Sequence, residues 1–328
     1  MSPRGVGFCA ACVMMISMKH IEGIVPACIT PFNDDNSVNY DMVKPLVDHF
    51  VDAEAGGLFV NGSSAEFLTL TDEERKKLAE TYIGAADGRV PVVVHVGTKN
   101  PDSTAELARH AESIGAFAIA TLPPLDRAKS TLEKDFAWYR DVGAASKLPL
   151  YVYLRSDMGT SEIRPKEFLD RMQEVPTFAG IKFGASNFHI VQSIARQSEG
   201  RVNILTGPDE LLLPGLTMGS EGAIGTTYNA FPHHAVAIYQ NYKAGNIKEA
   251  QKLQEGLGEA IEELISMGIV LAGTKAIMRK QGLAVGQCRP SAEYGMAQAA
   301  HTEKTFTDHV TLEQEERLMA VVDKHNMK

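Results

Sequence analysis

Much that would announce a function is missing from this chain of 328 residues. No stretch approaches the ~18 to 20 consecutive apolar residues that a membrane helix requires, so no membrane partner is expected. No GxGxxG follows the first apolar run, and neither GxxxxGKS nor GxxxxGKT occurs anywhere. The loops that cradle nucleotide phosphates are therefore absent, and no cofactor is expected. The ten histidines show no ligand spacing such as HExxH, so no metal site is expected either. The 32 Lys and Arg are scattered and outnumbered by 41 Asp and Glu, for a formal charge of -9, which argues against nucleic acid as a partner. Four cysteines in a chain this long do not build a disulfide framework and suit a reduced, cytoplasmic setting. Cys9 and Cys12 form a lone CxxC without a second pair, while Cys28 and Cys288 stand singly.

What is present is alternation. Eight short apolar runs, Ile24 to Ile29, Gly57 to Asn61, Val90 to Val96, Ala116 to Thr121, Leu148 to Leu154, Phe178 to Phe183, Val202 to Leu205 and Gly222 to Thr226, are separated by helical patterns. Eight alternations predict an α/β fold, a (β/α)8 TIM barrel, whose strands are covered on both faces and so read as continuous apolar runs. A doubly wound open sheet is the second choice. Thr71-Asp72-Glu73-Glu74 reads as a capping box, and Asn100-Pro101 as a cap followed by proline in the first turn. Beyond the eighth run, helical segments at about Ala235 to Tyr242, Ile247 to Met267, Thr274 to Gln281 and Leu312 to His325 predict a C-terminal helical extension. The expected division is residues 1–19 as an N-terminal extension, 20–232 as the barrel core and 233–328 as the last barrel helix with the extension. Later methionines at 14, 15 and 18 make an over-extended reading frame or a disordered tail the expectation for residues 1–19, rather than a secretory leader.

Lys182 interrupts Phe178-Ala179-Gly180-Ile181-Lys182-Phe183-Gly184, a run otherwise fit for a strand buried on both faces. Burying an ammonium is costly, and the cheapest relief is a lowered pKa that leaves a neutral amine. Such an amine is a nucleophile able to form a Schiff base with a ketone. The other reading is an edge-strand lysine whose stem lies on the surface and whose head reaches water.

In a barrel, working groups lie at the C-terminal ends of the strands. Three features fall there: Asn61-Gly62-Ser63-Ser64-Ala65-Glu66 after the second run, Tyr151 and Tyr153 in the fifth, and Lys182 at the end of the sixth. Strand parity puts Tyr151 and Tyr153 on one face, and Tyr153 lies nearer the strand end. Pro208-Asp209-Glu210 reads either as the cap of a helix beginning near Leu211 or as carboxylates placed for substrate hydroxyls.

In these motifs the chain resembles the pyruvate-dependent class I aldolases, the family that includes N-acetylneuraminate lyase and dihydrodipicolinate synthase. The resemblance spans about residues 20 to 326. It rests on Gly23-Ile24-Val25-Pro26-Ala27-Cys28-Ile29-Thr30-Pro31-Phe32, on Gly62-Ser63-Ser64-Ala65-Glu66 with the following Leu68 to Arg75, on Pro149-Leu150-Tyr151-Val152-Tyr153, and on Gly180-Ile181-Lys182. It implies a lyase or aldolase whose Lys182 attacks the ketone of pyruvate or another 2-keto acid. Tyr153 would serve as the general acid and base, and Ser63 and Ser64 with loop amides would hold the substrate carboxylate. Gly207, Asp209, Glu210, Gly225 and Thr226 match the region that binds the sugar tail in the lyase branch. That makes N-acetylneuraminate or a related 2-keto-3-deoxy sugar acid the expected small-molecule substrate. Gly286-Gln287-Cys288-Arg289-Pro290 resembles a structural segment beyond the barrel. Family members are commonly homotetramers or dimers.

Three departures bear on the substrate. Pro123-Pro124-Leu125-Asp126 stands where the synthase branch has an aromatic pair that completes a proton relay. The turn Leu154-Arg155-Ser156-Asp157-Met158-Gly159 is short and lacks the usual proline. Gly184 replaces a threonine of the lyase branch, and Ala65 a glycine of the carboxylate loop. Arg155 either reaches a second substrate carboxylate or is solvated. The alternatives are a dihydrodipicolinate synthase, condensing pyruvate with aspartate semialdehyde, and a barrel that binds a sugar acid without turnover.

Overall fold

Eight parallel strands pair in the order β1-β8-β7-β6-β5-β4-β3-β2. The computed structural model describes residues 20–124, 131–155, 164–290 and 309–327. The barrel units run β1 (Gly23–Pro26), α1 (Val43–Asp52), β2 (Leu58–Val60), α2 (Asp72–Ala86), β3 (Val92–His95), α3 (Pro101–Ser113), β4 (Ala118–Thr121), α4 (Leu132–Ala145), β5 (Leu150–Arg155), α5 (Pro165–Met172), β6 (Phe178–Gly184), α6 (His189–Ser198), β7 (Asn203–Thr206), α7 (Leu212–Thr217), β8 (Gly222–Gly225) and α8 (Pro232–Lys243). A parallel bridge from Ala27 to Phe59 joins the first strand to the second, and the Cys28 amide donates to the Phe59 carbonyl at 2.9 Å. That seam closes the sheet and rules out the open doubly wound arrangement. Each of the eight apolar runs overlaps one strand, four of them contain it whole, and β1, β5, β6 and β7 each extend one residue beyond their run.

The helices begin where side chains satisfy their first amides. Thr71 Oγ1 accepts from the Glu74 amide and Glu74 Oε2 accepts from the Thr71 amide, a complete capping box for α2. Asn100 Oδ1 accepts from the Asp102 amide, with Pro101 in the first turn of α3. Inside the barrel, Val25, Phe59, Val93, Ala118, Ala120, Tyr151, Leu205 and Ile224 form a packed layer. Beneath it the N-terminal end is sealed by a polar knot. Tyr151 donates to Asn203 Oδ1 at 2.7 Å, and Asn203 Nδ2 donates to the Ile21 carbonyl and to Glu221.

The extension comprises α9 (Ile247–Ser266), α10 (Val270–Lys280) and a helix we term α11 (Leu312–Lys324). It packs through Leu257, Ile261 and Leu264 of α9, Leu271 and Ile277 of α10, and Leu318 and Val322 of α11, each buried side chain contributing about 1.5 to 3 kcal/mol. Among the described residues no helix is long and apolar enough to cross a membrane. Residues 1–19 with Cys9 and Cys12, Leu125 and Asp126, the Arg155 side chain, and Ser156 to Gly159 lie outside what the structure describes.

Candidate active site

Lys182 is the fifth residue of β6 and is 6% exposed. Its strand partner in the parallel ladder is Tyr153 of β5. The Lys182 Nζ lies 4.3 Å from the Tyr153 ring centroid and 4.7 Å from that of Phe59, so the amine is in contact with two aromatic rings. A second buried lysine, Lys275, is paired with Glu66 at 2.6 Å, whereas Lys182 has no carboxylate partner among the described residues. The surface-lysine reading of Lys182 is thereby overturned, because β6 is paired on both sides, by β5 and β7, and the residue is buried rather than laid along an edge.

The two tyrosines of β5 share the inner face, one layer apart. Tyr151 is in the packed layer, its hydroxyl committed to Asn203 and its pKa pushed up by burial. Tyr153 is half-buried at the mouth, beside an apolar patch of Phe67, Leu68 and Leu122. Gly184 supplies room for it. A Cβ at Gly184 would come 2.8 Å from Tyr153 Cε2 and 3.3 Å from its hydroxyl oxygen, so a threonine there would displace the ring.

The loop after β2 starts and ends on left-handed residues, Asn61 at φ 61° and Glu66 at φ 58°. Between them Ser63–Ala65 makes a single 3₁₀ turn. Ser64 Oγ lies 2.6 Å from Thr226 Oγ1, across 162 residues of sequence. One hydroxyl of that pair donates to the other, which leaves one hydrogen for a ligand. Thr30 Oγ1 donates to the Ala65 carbonyl at 2.7 Å, fixing the turn from the β1 side.

On the opposite rim, Gly207 follows β7 with its amide donating to Phe183 at 2.8 Å. A Cβ at Gly207 would stand 3.5 Å from Lys182 Cε, so this backbone borders the amine directly. Asp209 does not cap its own helix. Its Oδ2 accepts from the Thr227 amide at 2.7 Å and from Thr227 Oγ1 at 2.6 Å, hooking the β8 loop to the β7 loop. Glu210 is exposed, and its carbonyl accepts from Gln254 of α9 at 3.1 Å. Gly225 is a close-approach position: a Cβ there would lie 1.9 Å from Asp209 Oδ1 and 2.6 Å from the Tyr228 ring. Gly225→Ala is therefore expected to break the hook and to lower stability by about 1 to 3 kcal/mol, the cost of overpacking a buried site. Chemical denaturation checks this, and an unchanged midpoint would contradict it.

Burial pushes the Asp209 carboxyl up to about 6, opposed by the Thr227 bonds and by Lys182. The fold thus favours the protonated form. Its contribution is fully present below 3.8, the usual aspartate value, and is lost as pH rises through about 6. The stability of the wild type relative to Asp209→Asn is expected to fall by up to about 3 kcal/mol between about pH 4 and pH 7. Denaturation curves of the two proteins across that range test it, and parallel pH profiles would rule it out.

Two residues at the mouth carried no signal of their own in the sequence. His95 ends β3, is fully buried, and is held neutral by burial, Arg75 and Lys182 together. Its Nδ1 donates to the Asn61 carbonyl at 3.0 Å, and Nε2 has no partner among the described residues. Arg75 of α2 donates to the carbonyls of His95 and Gly97 at 2.8 and 3.1 Å, with burial pushing its guanidinium down to about 10. It stays charged at neutral pH and ties α2 to the end of β3. Only its place in the Thr71 to Arg75 motif marked it.

The arrangement is an aromatic-flanked amine with a tyrosine hydroxyl beside it, a serine-bearing turn on one side, and a carboxylate-bearing rim on the other. Known proteins are similar to the chain over most of its length. N-acetylneuraminate lyase of Gallus gallus is 33% identical over 281 residues, covering 84% of this chain and 91% of that protein. The N-acetylneuraminate lyase of Rhizobium meliloti (strain 1021) is 35% identical over 269 residues, 82% of this chain and 88% of the other. The structure of Proteus mirabilis N-acetylneuraminate lyase superposes with a TM-score of 0.83 at 26% identity, covering 94% of this chain and 100% of that one. The family model described as dihydrodipicolinate synthetase matches residues 20–307. By these matches and by its barrel, the chain belongs to the dihydrodipicolinate synthetase family.

Proposed function

We propose that the protein is a class I aldolase of the carbon–carbon lyase type, reversibly cleaving N-acetylneuraminate or a related 2-keto-3-deoxy sugar acid to pyruvate and an aldehyde. The observation that carries this reading is the Lys182 amine, buried at the C-terminal end of β6 beside Tyr153 and the Phe59 ring. The identity to N-acetylneuraminate lyases supports the substrate class.

The Lys182 amine adds to the C2 ketone. Tyr153 gives its proton to the carbinolamine hydroxyl, water leaves, and a protonated Schiff base remains. That cation takes up the electron pair of the C3–C4 bond as it breaks, while the Tyr153 oxygen accepts the C4 hydroxyl proton and the aldehyde departs. Tyr153 then returns a proton to C3 of the enamine, and hydrolysis of the imine releases pyruvate and restores the amine. Ser63 and Ser64, with amides of their loop, would hold the substrate carboxylate by charge-assisted hydrogen bonds. Asp209, Glu210, Gly207, Gly225 and Thr226 would receive the hydroxylated tail. The reading includes a cytoplasmic homo-oligomer, a tetramer or dimer, as the family resemblance implies.

The synthase alternative has less support, since Pro123 and Pro124 occupy the place of its relay aromatics and the relatives described above are lyases. Pyruvate release from N-acetylneuraminate, beside pyruvate consumption with aspartate semialdehyde, separates the two. Release with the sugar acid is expected, and activity confined to the semialdehyde would overturn the substrate assignment.

A further inference from the structure

The loop that carries Ser63 and Ser64 is held from outside the barrel. Its last residue, Glu66, is fully buried in a left-handed conformation that an ordinary side chain adopts only under constraint. Both carboxylate oxygens are occupied. Lys275 of α10 donates to Oε1 at 2.6 Å, and the Arg289 amide donates to Oε2 at 2.7 Å. Lys275 is itself fully buried and donates to the Gln287 carbonyl at 3.0 Å. The Arg289 guanidinium reaches the Thr69 carbonyl at 2.8 Å and the Glu74 carboxylate, spanning the loop from its far side. Phe32, which follows β1, lies between the two cations, 4.6 Å from Lys275 and 4.5 Å from Arg289.

A buried ion pair is seldom the cheapest way to stabilise a fold, since apolar residues of like volume do as well or better. Its retention calls for a geometric reason, and the geometry supplies one. Both groups that bond the Glu66 carboxylate come from α10 or the segment after it, and only Ala65 separates Glu66 from Ser64.

We propose that Glu66 and Lys275 are positioning residues for the carboxylate-binding turn, through which the C-terminal extension sets affinity for the 2-keto acid. This rests on the function proposed above. Neither side chain touches the reacting atoms. Both act by holding the Ser63–Ala65 turn at the angle where its hydroxyls and amides meet a carboxylate.

The test measures half-saturation and limiting rate of borohydride-trapped pyruvate adduct in the wild type, Glu66→Gln, Lys275→Met and the double variant. Each single variant is expected to raise half-saturation by about 10- to 100-fold, the equivalent of one charge-assisted hydrogen bond, with the limiting rate nearly unchanged. The double variant leaves no uncompensated charge and is expected to recover much of the loss, which also answers the case in which a single variant fails to fold. Hydrogen exchange of the peptide spanning Gly62 to Phe67 is read in parallel and should quicken in the single variants. A merely structural pair would lower the melting temperature and leave half-saturation where it was. Unchanged half-saturation in variants of a wild type that traps pyruvate overturns the proposal. If the wild type traps nothing, the functional reading fails instead, and unchanged exchange in that loop would then overturn the clamp separately.

Discussion

Exchanging Lys182 for methionine is expected to lower turnover by on the order of 10⁵-fold or more, because the amine that forms the covalent intermediate is removed. Stability should move the other way. Lys182 is buried and has no carboxylate partner among the described residues, so an apolar side chain of similar length removes a desolvation cost. The thermal midpoint is expected to stay level or rise, the pattern of a residue kept for chemistry at the expense of the fold. Lys275 offers the internal contrast. Lys275→Met leaves the Glu66 carboxylate buried without its cation and is expected to lower stability by about 3 to 5 kcal/mol. Steady-state kinetics and thermal denaturation of the two variants decide the matter. A Lys182→Met protein that turns over, or one destabilised as much as Lys275→Met, would contradict the assignment.

Tyr153→Phe is expected to slow turnover by on the order of 10² to 10⁴-fold while pyruvate can still be trapped on Lys182. The ring stays, so the aromatic contact at 4.3 Å survives and only the proton carrier is lost. Tyr151→Phe should do nearly the reverse. Its hydroxyl is the donor to Asn203 in a sealed polar knot, so its loss is expected to lower stability by about 1 to 3 kcal/mol and leave the rate close to wild type. Rapid-mixing kinetics with the sugar acid, beside urea denaturation, separates the two tyrosines. A slow Tyr151→Phe with a normal Tyr153→Phe would exchange their roles.

The eight strands were legible because a barrel strand is covered on both faces and therefore apolar throughout, and the capping box of α2 because its two bonds need only residues three apart. Lys182 was legible for the same reason reversed, as a charge in an apolar run. That signal is ambiguous in kind. Lys275 sits in an equally apolar stretch, with Leu271 to Met278 all buried, yet its charge is answered by Glu66 from 209 residues away. Nothing local tells a paired lysine from an unpaired one. The role of Asp209 was hidden likewise. A carboxylate at a helix start commonly caps that helix, and only the approach of the next loop showed it bonded to Thr227 instead. The Ser64–Thr226 contact and the His95 position depend on how the strands are staggered around the closed barrel, which residue patterns do not encode locally.

The central claim is that Lys182 forms a Schiff base with a 2-keto acid. Incubation with pyruvate, reduction with borohydride and peptide mapping by mass spectrometry test it without knowledge of the aldehyde partner. One reduced pyruvate adduct is expected, on the peptide containing Lys182 and absent from Lys182→Met. No adduct under conditions that modify a control aldolase, or an adduct on another lysine that persists in Lys182→Met, would contradict it.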